Sequence, residues 1–253
     1  MKEEGIQLLG YTISNRGLYG DVQFAYTLLN KKNSYLACMN PHSLVIASKD
    51  KLFQCSLKNA DILLPDGIGI VLAARLLGLP LKEKVAGYDF FYNFTKRLNR
   101  GGGAKYFFLG STENVLRRIK ERIKKEFPSI EVCGYFSPPF KEEFSEQDNN
   151  MMIKVINKAK PDILWVGMTA PKQEKWIFLN KDKLEIKFCG AIGAAFDFYA
   201  GTKTRPSLFW QKIGLEWLLR FLKEPRLWKR NLISTPIFLY WVLKEIVSKK
   251  YHS

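Results

Sequence analysis

The feature that most constrains the fold is a regular alternation of short apolar runs and longer helix-like stretches between residues 35 and 190. This alternation predicts repeated βαβ units, a mostly parallel sheet and an α/β fold that is Rossmann-like, with helices flanking the sheet. The predicted strands are Tyr35–Met39, Ile62–Leu64, Lys105–Leu109, Ile130–Tyr135, Ile163–Val166 and Ile186–Gly190. The predicted helices are Gly20–Leu29, Ser43–Cys55, Glu113–Phe127, Asn149–Lys158 and Pro171–Asn180.

The ends of these strands predict where a ligand binds. Right-handed crossovers place the carboxyl ends of parallel strands at one edge of a sheet, and ligands of open α/β sheets bind in the crevice outside that edge. We therefore expect the following residues to converge on one crevice: Asn40, Asp66, Gly110, Gly167 and Gly190.

Asp66 is the candidate general base. It lies in a Pro-Asp-Gly turn at the end of a predicted strand, where its carboxylate would face the crevice. Gly67 and Gly69 allow the backbone to turn tightly and a substrate to approach. The alternative is a turn aspartate that only caps the following helix.

Three further segments offer groups that can bind a ligand at this sheet edge. The loop of Gly110 and Ser111 precedes a helix and can present backbone amides to a phosphate. Gln173 opens another helix at a strand end, where it can bond sugar hydroxyls, and the alternative is an exposed first turn. Gly193 belongs to a run of small residues before Asp197, which permits a ligand to approach closely or, alternatively, a helix to pack tightly.

Several cofactor and metal classes are disfavoured. The segment around Gly67 and Gly69 lacks the third glycine of a dinucleotide fingerprint, and no P-loop motif is present. No Asp-x-Asp pair is available to hold a divalent ion, and the two histidines, His42 and His252, are far apart in the chain. We expect no cofactor and no metal site, and a bound diphosphate would be met by backbone amides and basic side chains.

The charge distribution sets the last part of the chain apart. The formal net charge is +16, and residues 201–253 hold 11 of the 40 basic residues but only 3 of the 24 acidic ones. Four of the six tryptophans lie there too, and tryptophan with lysine and arginine suits a bilayer interface. We predict a core domain over residues 1–200 and a basic, helical C-terminal appendage that associates with membranes over residues 201–253.

Two helices are predicted in this appendage. Leucines at helical spacing between Leu215 and Leu222 indicate an amphipathic helix that ends at Pro225, and Thr235-Pro236 is typical of a fresh helix start. The apolar run that follows, residues 236–243, is far shorter than the roughly 20 residues needed to span a bilayer. The chain also begins without a signal-peptide pattern, which predicts a protein that is not secreted.

A set of motifs in fixed order resembles one known family. The motifs are Asn40, Pro65-Asp66-Gly67, Gly87-Tyr88-Asp89, Phe108-Leu109-Gly110, Pro171-Lys172-Gln173-Glu174, Gly193-Ala194-Ala195-Phe196-Asp197-Phe198 with Gly201, Arg205-Pro206, and Gly214-Leu215-Glu216-Trp217 with Arg220, Glu224-Pro225-Arg226 and Arg230. Together they resemble the WecG/TagA/CpsF family of bacterial glycosyltransferases, glycosyltransferase family 26. The resemblance extends from about Asn40 to Arg230.

The resemblance implies an inverting, metal-independent transferase. Such enzymes move a sugar, often N-acetylmannosamine, from a UDP donor to undecaprenyl-diphosphate-linked N-acetylglucosamine on the cytoplasmic membrane face, in the synthesis of wall teichoic acid, enterobacterial common antigen or capsule. It implies that Asp66 is the base, that Asn40 and Gln173 orient substrate, and that Asp197 and the Gly110 loop face the nucleotide. The basic residues implied to meet the lipid diphosphate are Arg220, Arg226 and Arg230.

Two residues depart from the family pattern. Cys38 replaces a threonine and so lacks a hydroxyl for sugar contacts. Lys84 replaces an arginine before the Gly-x-Asp turn, so that a bidentate phosphate contact becomes a point charge. The donor sugar and the oligomeric state, a homo-oligomer included, stay open.

Two other functional classes compete with the transferase. The basic charge alone is compatible with a nucleic-acid-binding protein, but that function leaves the crevice motifs unexplained. A noncatalytic scaffold that docks on membranes through the appendage is the other alternative, and the presence of Asp66 and Gln173 argues against it. We therefore expect a membrane-surface transferase with no nucleic-acid partner.

Overall fold

The computed structural model describes residues 5–207, 210 and 226–251, and its centre is a six-stranded sheet in which all paired strands are parallel. The sheet strands are β3 (Ser34–Met39), β4 (Ile62–Pro65), β5 (Ala104–Gly110), β6 (Ile130–Phe136), β7 (Ile163–Gly167) and β8 (Phe188–Ala191), in the order β4-β3-β8-β7-β5-β6. The six predicted strands are confirmed, with bounds within two residues of those expected. A separate antiparallel hairpin, β1 (Gly5–Leu8) and β2 (Tyr11–Ser14), was not predicted.

Helices cover both faces of the sheet, so the predicted α/β class is confirmed. The helices are α1 (Gly17–Leu28), α2 (Pro41–Ala47), α3 (Lys51–Lys58), α4 (Ile68–Leu76), α5 (Gly87–Arg100), α6 (Glu113–Glu126), α7 (Glu146–Ala159), α8 (Lys172–Asn180), α9 (Ala195–Ala200) and α10 (Arg226–Tyr251), with a short 3₁₀ turn at Lys181–Lys183. One face packs against α2, α3, α4, α7, α8 and the β1–β2 hairpin. The other packs against α1, α5, α6 and α9.

The distribution of helices opens the sheet edge at its middle. β3 is followed by a helix on one face, whereas its neighbour β8 is followed by a helix on the other. The connections that leave these two strands therefore diverge and leave a crevice between them, as at the switch points of other open α/β sheets.

An aromatic cluster fills the core on the second face. Phe91 and Phe94 of α5 contact Trp165 of β7 edge-on, with ring centroids 5.0 and 6.2 Å apart. The buried residues of α5 recur at helical spacing, which explains this helix even though sequence analysis treated Gly87-Tyr88-Asp89 only as a turn.

The predicted helix from Ser43 to Cys55 is in fact two helices. Asp50 adopts an extended backbone and its carboxylate accepts a hydrogen bond from the Phe53 amide at 2.9 Å, which caps the start of α3. The same carboxylate forms an ion pair with Lys175 of α8 at 2.9 Å. Asp50 thus breaks one helix, begins the next and ties it to α8.

The C-terminal helix differs from prediction at Pro236. This residue does not start a helix but lies inside α10, which begins ten residues earlier at Arg226. Pro236 is exposed, so water can reach the carbonyl group that its missing N–H leaves without an intrahelical bond. The predicted Leu215–Leu222 helix lies outside the described residues.

One face of α10 packs on the domain. Ser234, Phe238 and Val242 recur every four residues and are buried, and the helix contacts α2 and α4. Leu239 and Leu243 are exposed on the same helix. Within the described part of the chain, no helix combines the length and apolar character needed to cross a membrane.

The cap at Asp50 generates a stability prediction. Asp50→Ala should lower the free energy of unfolding by about 1–2 kcal/mol because the Phe53 amide loses its partner. Asp50→Asn keeps a cap acceptor and loses the partly exposed ion pair, so its cost should stay below about 1 kcal/mol. Urea unfolding of both variants measures the difference, and equal losses would show that the cap contributes nothing.

Candidate active site

A cleft of about 450 Å³ opens at the carboxyl edge of the sheet. The loops after five of the strands contribute to its walls, namely those that carry Asn40, Asp66, Ser111, Met168 and Ile192. The expected convergence of strand ends is therefore confirmed. Gly110 and Gly190 contribute through their neighbours Ser111 and Ala191 rather than themselves.

Asp66 enters the cleft from a sharp turn. Its amide donates to the Met39 carbonyl at 2.8 Å, which ties the end of β4 to the end of β3. Gly67 then takes a φ of +109° and serves as the N-cap residue of α4. Gly67 rather than Asp66 occupies the cap position of α4, and Asp66 lines the cleft.

Asn40 lies beside Asp66 and is the N-cap of α2. Its Oδ1 accepts a hydrogen bond from the Ser43 amide at 2.9 Å, so the Nδ2 group is what can donate to a ligand. The Asn40 and Asp66 turns are held together by close packing, since a Cβ at Gly69 would lie 2.6 Å from Pro41 Cγ. Any side chain at position 69 would push α4 away from α2.

Gln173 and Glu174 form another part of the cleft wall. Both lie in the first turn of α8 and are almost fully buried, with 4% and 1% of their surface exposed. The alternative of an exposed first turn is thus wrong, because α8 packs its beginning against the sheet edge. Gln173 Nε2 donates to Glu174 Oε1 at 2.8 Å, and the amide of Gln173 lies across from Gly193.

Burial changes the acid strength of the groups in this wall. It raises the pKa of Glu174 from its usual 4.5 to about 7, and the hydrogen bond from Gln173 opposes only part of that shift. Burial also raises the pKa of the Cys38 thiol, and the neighbouring carboxyls of Asp66 and Glu174 raise it further. Cys38 is therefore a neutral thiol at pH 7.

The residues predicted to face the nucleotide have different surroundings. Gly110 is required for packing, because a Cβ there would lie 2.6 Å from the Gly167 carbonyl oxygen. The Ser111 amide donates to that same carbonyl at 3.0 Å, so this N–H is engaged by the protein itself. Gly193 and Asp197 both line the cleft.

Asp197 is already partnered by the segment that follows α9. It accepts a hydrogen bond from Thr202 Oγ1 at 3.1 Å and lies 3.8 Å from the Lys203 ammonium. These contacts fold the segment after Gly201 back over the cleft and bring Lys203 and Arg205 to its rim.

The remaining predicted residues lie outside this arrangement. Lys84 precedes Ala86, which lines the cleft, but Lys84 itself is not in the lining. Arg220 lies outside the described residues. Arg226 and Arg230 belong to the first turns of α10, and their side chains are also outside the described part of the chain.

Sequence reasoning missed several lining residues. Glu174 follows Gln173 in a recognised motif but received no role, because a glutamate in a helix first turn is ordinarily exposed. Arg205 forms a two-pronged ion pair with Asp89 and stacks over the Tyr88 ring at 4.8 Å. His42 also lines the cleft, and its Nδ1 lies 2.7 Å from Ser234 Oγ of α10.

The parallel sheet and the cleft at its carboxyl edge define an α/β protein with a ligand site at a switch point, and comparison with known proteins identifies the family. Residues 6–252 match the model of the Glycosyl transferase WecG/TagA/CpsF family. The chain belongs to this family, which confirms the resemblance found in the sequence.

Three relatives of this chain share one name. The chain is 31% identical over 222 residues to an N-acetylglucosaminyldiphosphoundecaprenol N-acetyl-beta-D-mannosaminyltransferase of Bacillus spizizenii, covering 87% of this chain and 83% of that protein. A protein of the same name from Bacillus subtilis is 29% identical, with 99% and 94% covered. Another from Staphylococcus aureus strain MW2 is 26% identical, with 94% and 92% covered.

The buried Glu174 generates a prediction about pH. The folded protein binds the Glu174 proton up to about pH 7 and the unfolded chain only to about 4.5, so the free energy of unfolding should fall as pH rises between these values. Glu174→Gln removes the carboxyl group that binds this proton. The difference in unfolding free energy, wild type minus variant, should therefore decrease by up to about 3 kcal/mol over this range.

Denaturant unfolding at a series of pH values measures this difference. Glu185→Gln, an exposed carboxyl outside the cleft lining, is the matched control and should retain the wild-type pH dependence. A wild-type curve parallel to that of Glu174→Gln would contradict the burial of an ionisable carboxyl.

Proposed function

We propose that this protein transfers N-acetylmannosamine from a UDP donor to undecaprenyl-diphosphate-linked N-acetylglucosamine, with inversion and without a divalent metal. The observation that carries the proposal is the Asp66 carboxylate in a polar cleft at the carboxyl edge of the sheet, in a chain of this glycosyltransferase family. The shared name of the Bacillus and Staphylococcus relatives supports the transferred sugar and the acceptor. The UDP donor and a role in wall-teichoic-acid-type polysaccharide synthesis are proposed from the family resemblance.

Asp66 acts as the base in this proposal. Its carboxylate accepts the proton of the acceptor hydroxyl as that oxygen bonds to the anomeric carbon, on the face opposite UDP. The bond between that carbon and the phosphate oxygen breaks, and UDP leaves with the electron pair. General base catalysis of this kind contributes ~10²–10⁴-fold to the rate.

The departing diphosphate needs positive charge. Lys203 and Arg205 line the cleft and are placed to supply it. Arg205 is oriented by Asp89 and by the Tyr88 ring, which limits the entropy lost when the guanidinium meets a phosphate. The pair takes the place that a divalent ion has in metal-dependent transferases.

Polar groups around Asp66 orient the two sugars. Asn40 can donate through its Nδ2, and Gln173 carries its amide on the wall of the same cleft as the base. These positions support the roles that the family resemblance implies for both residues. Arg220, Arg226 and Arg230 are proposed to meet the lipid diphosphate, in keeping with their place in the basic appendage of residues 201–253.

The protein is proposed to work at the cytoplasmic face of the membrane as a peripheral protein. The acceptor named for the relatives is anchored in a membrane by its undecaprenyl chain. The helix α10 exposes apolar side chains away from the domain, and the sequence around it is rich in lysine, arginine and tryptophan. Such a helix suits an interface rather than the interior of a bilayer.

The base assignment predicts the phenotype of Asp66→Asn. This near-isosteric change should reduce UDP release from UDP-N-acetylmannosamine by ~10²–10⁴-fold in the presence of a short-chain prenyl-diphosphate N-acetylglucosamine acceptor. UDP binding should be unchanged, because the substitution removes a proton acceptor and not a nucleotide contact.

The matched control is Asp182→Asn, an exposed carboxyl outside the cleft lining. The assay contains EDTA, so activity that appears only after addition of Mg²⁺ would contradict the metal-free mechanism. Undiminished turnover in Asp66→Asn would remove Asp66 from the base role.

The exposed leucines of α10 predict the membrane behaviour. Replacing both Leu239 and Leu243 by serine should weaken co-sedimentation of the full chain with anionic phospholipid vesicles about tenfold, because two apolar side chains no longer leave water. Leu179→Ser, at an equally exposed position on α8, is the control. Equal binding by both variants would show that α10 is not the lipid-facing element.

A further inference from the structure

Two buried oxygens in the cleft wall have no hydrogen-bond partner among the described residues. They are Gln173 Oε1 and Glu174 Oε2, and both belong to side chains that are more than nine-tenths buried. A buried polar atom without a partner costs about 1–3 kcal/mol, and native proteins contain few of them. Two such atoms on adjacent residues of a ligand cleft indicate that a ligand supplies the missing partners.

The hydrogen bond within the pair fixes which groups are left for that ligand. Gln173 Nε2 donates to Glu174 Oε1, so the amide nitrogen and one carboxylate oxygen are committed to each other. When Glu174 is ionised, the groups that remain are two acceptors, Gln173 Oε1 and Glu174 Oε2, and the second N–H of the Gln173 amide. A ligand that matches them presents two O–H or N–H donors close together.

The position of the pair relates it to the reacting atoms. Gln173, Glu174 and Asp66 all line the same cleft, which has a volume of about 450 Å³, and Cys38 of β3 lines it too. The pair and the candidate base therefore share one cavity. A sugar bound to the pair would lie in the cavity that holds Asp66.

We propose that Glu174 is a substrate-contacting residue which, with Gln173, forms a subsite for an N-acetylated hexose ring and accepts its hydrogen bonds through Glu174 Oε2 and Gln173 Oε1. Adjacent hydroxyls, or a hydroxyl beside an acetamido N–H, supply the two donors. This subsite rests on the proposed function, in which both the transferred sugar and the acceptor sugar are N-acetylhexosamines. The subsite discriminates against sugars that lack one of these donors, since the buried acceptor would then stay unpaired.

The test compares the binding of three ligands to wild type and Glu174→Gln by calorimetry. The ligands are UDP-N-acetylmannosamine, UDP, and a short-chain prenyl-diphosphate N-acetylglucosamine. The variant retains an acceptor for Gln173 Nε2 but removes the carboxylate, so the Kd for one of the two sugar ligands should rise ~10–100-fold. The Kd for UDP alone should not change, and the ligand affected identifies the donor or the acceptor sugar as the occupant.

Glu185→Gln is again the matched control and should bind all three ligands like wild type. Chemical unfolding separates contact from structure, because removing a buried ionisable group should leave the variant at least as stable as wild type at pH 8. If Glu174→Gln does not fold, the test uses wild-type protein and UDP-sugars in which the acetamido group or a ring hydroxyl is replaced by hydrogen. Wild type should bind these analogues more weakly than UDP-N-acetylmannosamine.

Three results would overturn the subsite. These are unchanged affinity of Glu174→Gln for both sugar ligands, an equal loss of affinity for UDP alone, and wild-type indifference to the deoxy analogues. Wild-type protein that binds neither sugar ligand would overturn the proposed function and the subsite with it. Wild-type binding that Glu174→Gln leaves intact would overturn the subsite alone.

Discussion

The parallel direction of the six sheet strands is the constraint on which the rest of the structure depends. Because all strands end at the same edge, the loops that carry Asn40, Asp66, Ser111 and Met168 meet there although they are far apart in the sequence. The backbone hydrogen bond from Asp66 to Met39 shows how directly the register of two strands sets the position of a candidate base. The pairing of the strands thus sets the positions of the residues that line the cleft.

Close packing then sets the shape of the cleft. Gly110 allows β5 and β7 to end side by side, Gly167 makes room for the Phe196 ring, and Gly69 allows α4 to contact the first turn of α2. The small residues in these motifs serve the approach of one protein segment to another as much as the approach of a ligand. The buried carboxyl of Glu174 is an exception in this closely packed frame. Its Oε2 atom has no hydrogen-bond partner within the described chain. Stability is given up locally at a point where a ligand is expected.

The sequence predicts the sheet and its edge well because strand length, helical spacing and crossover handedness are local or general rules. The division of α2 from α3 was readable in principle, since Asp50 is a typical N-cap residue. The burial of Gln173 and Glu174 could not be predicted from the sequence, because it depends on how α8 packs on the sheet. The prediction that a helix starts at Pro236 was wrong for a similar reason. The packing of Phe238 and Val242 holds α10 as one helix across a residue type that usually occurs at a helix start.

The hydrogen bond between His42 and Ser234 joins two regions that otherwise have separate tasks. His42 belongs to the cleft wall, and Ser234 lies on the helix whose opposite face carries exposed leucines. A force that lifts α10 from the domain must break this bond and loosen the turn that holds Asn40. The packing of α10 on the domain and the geometry of the cleft are therefore mechanically linked, so that a shift of this helix also alters the cleft wall.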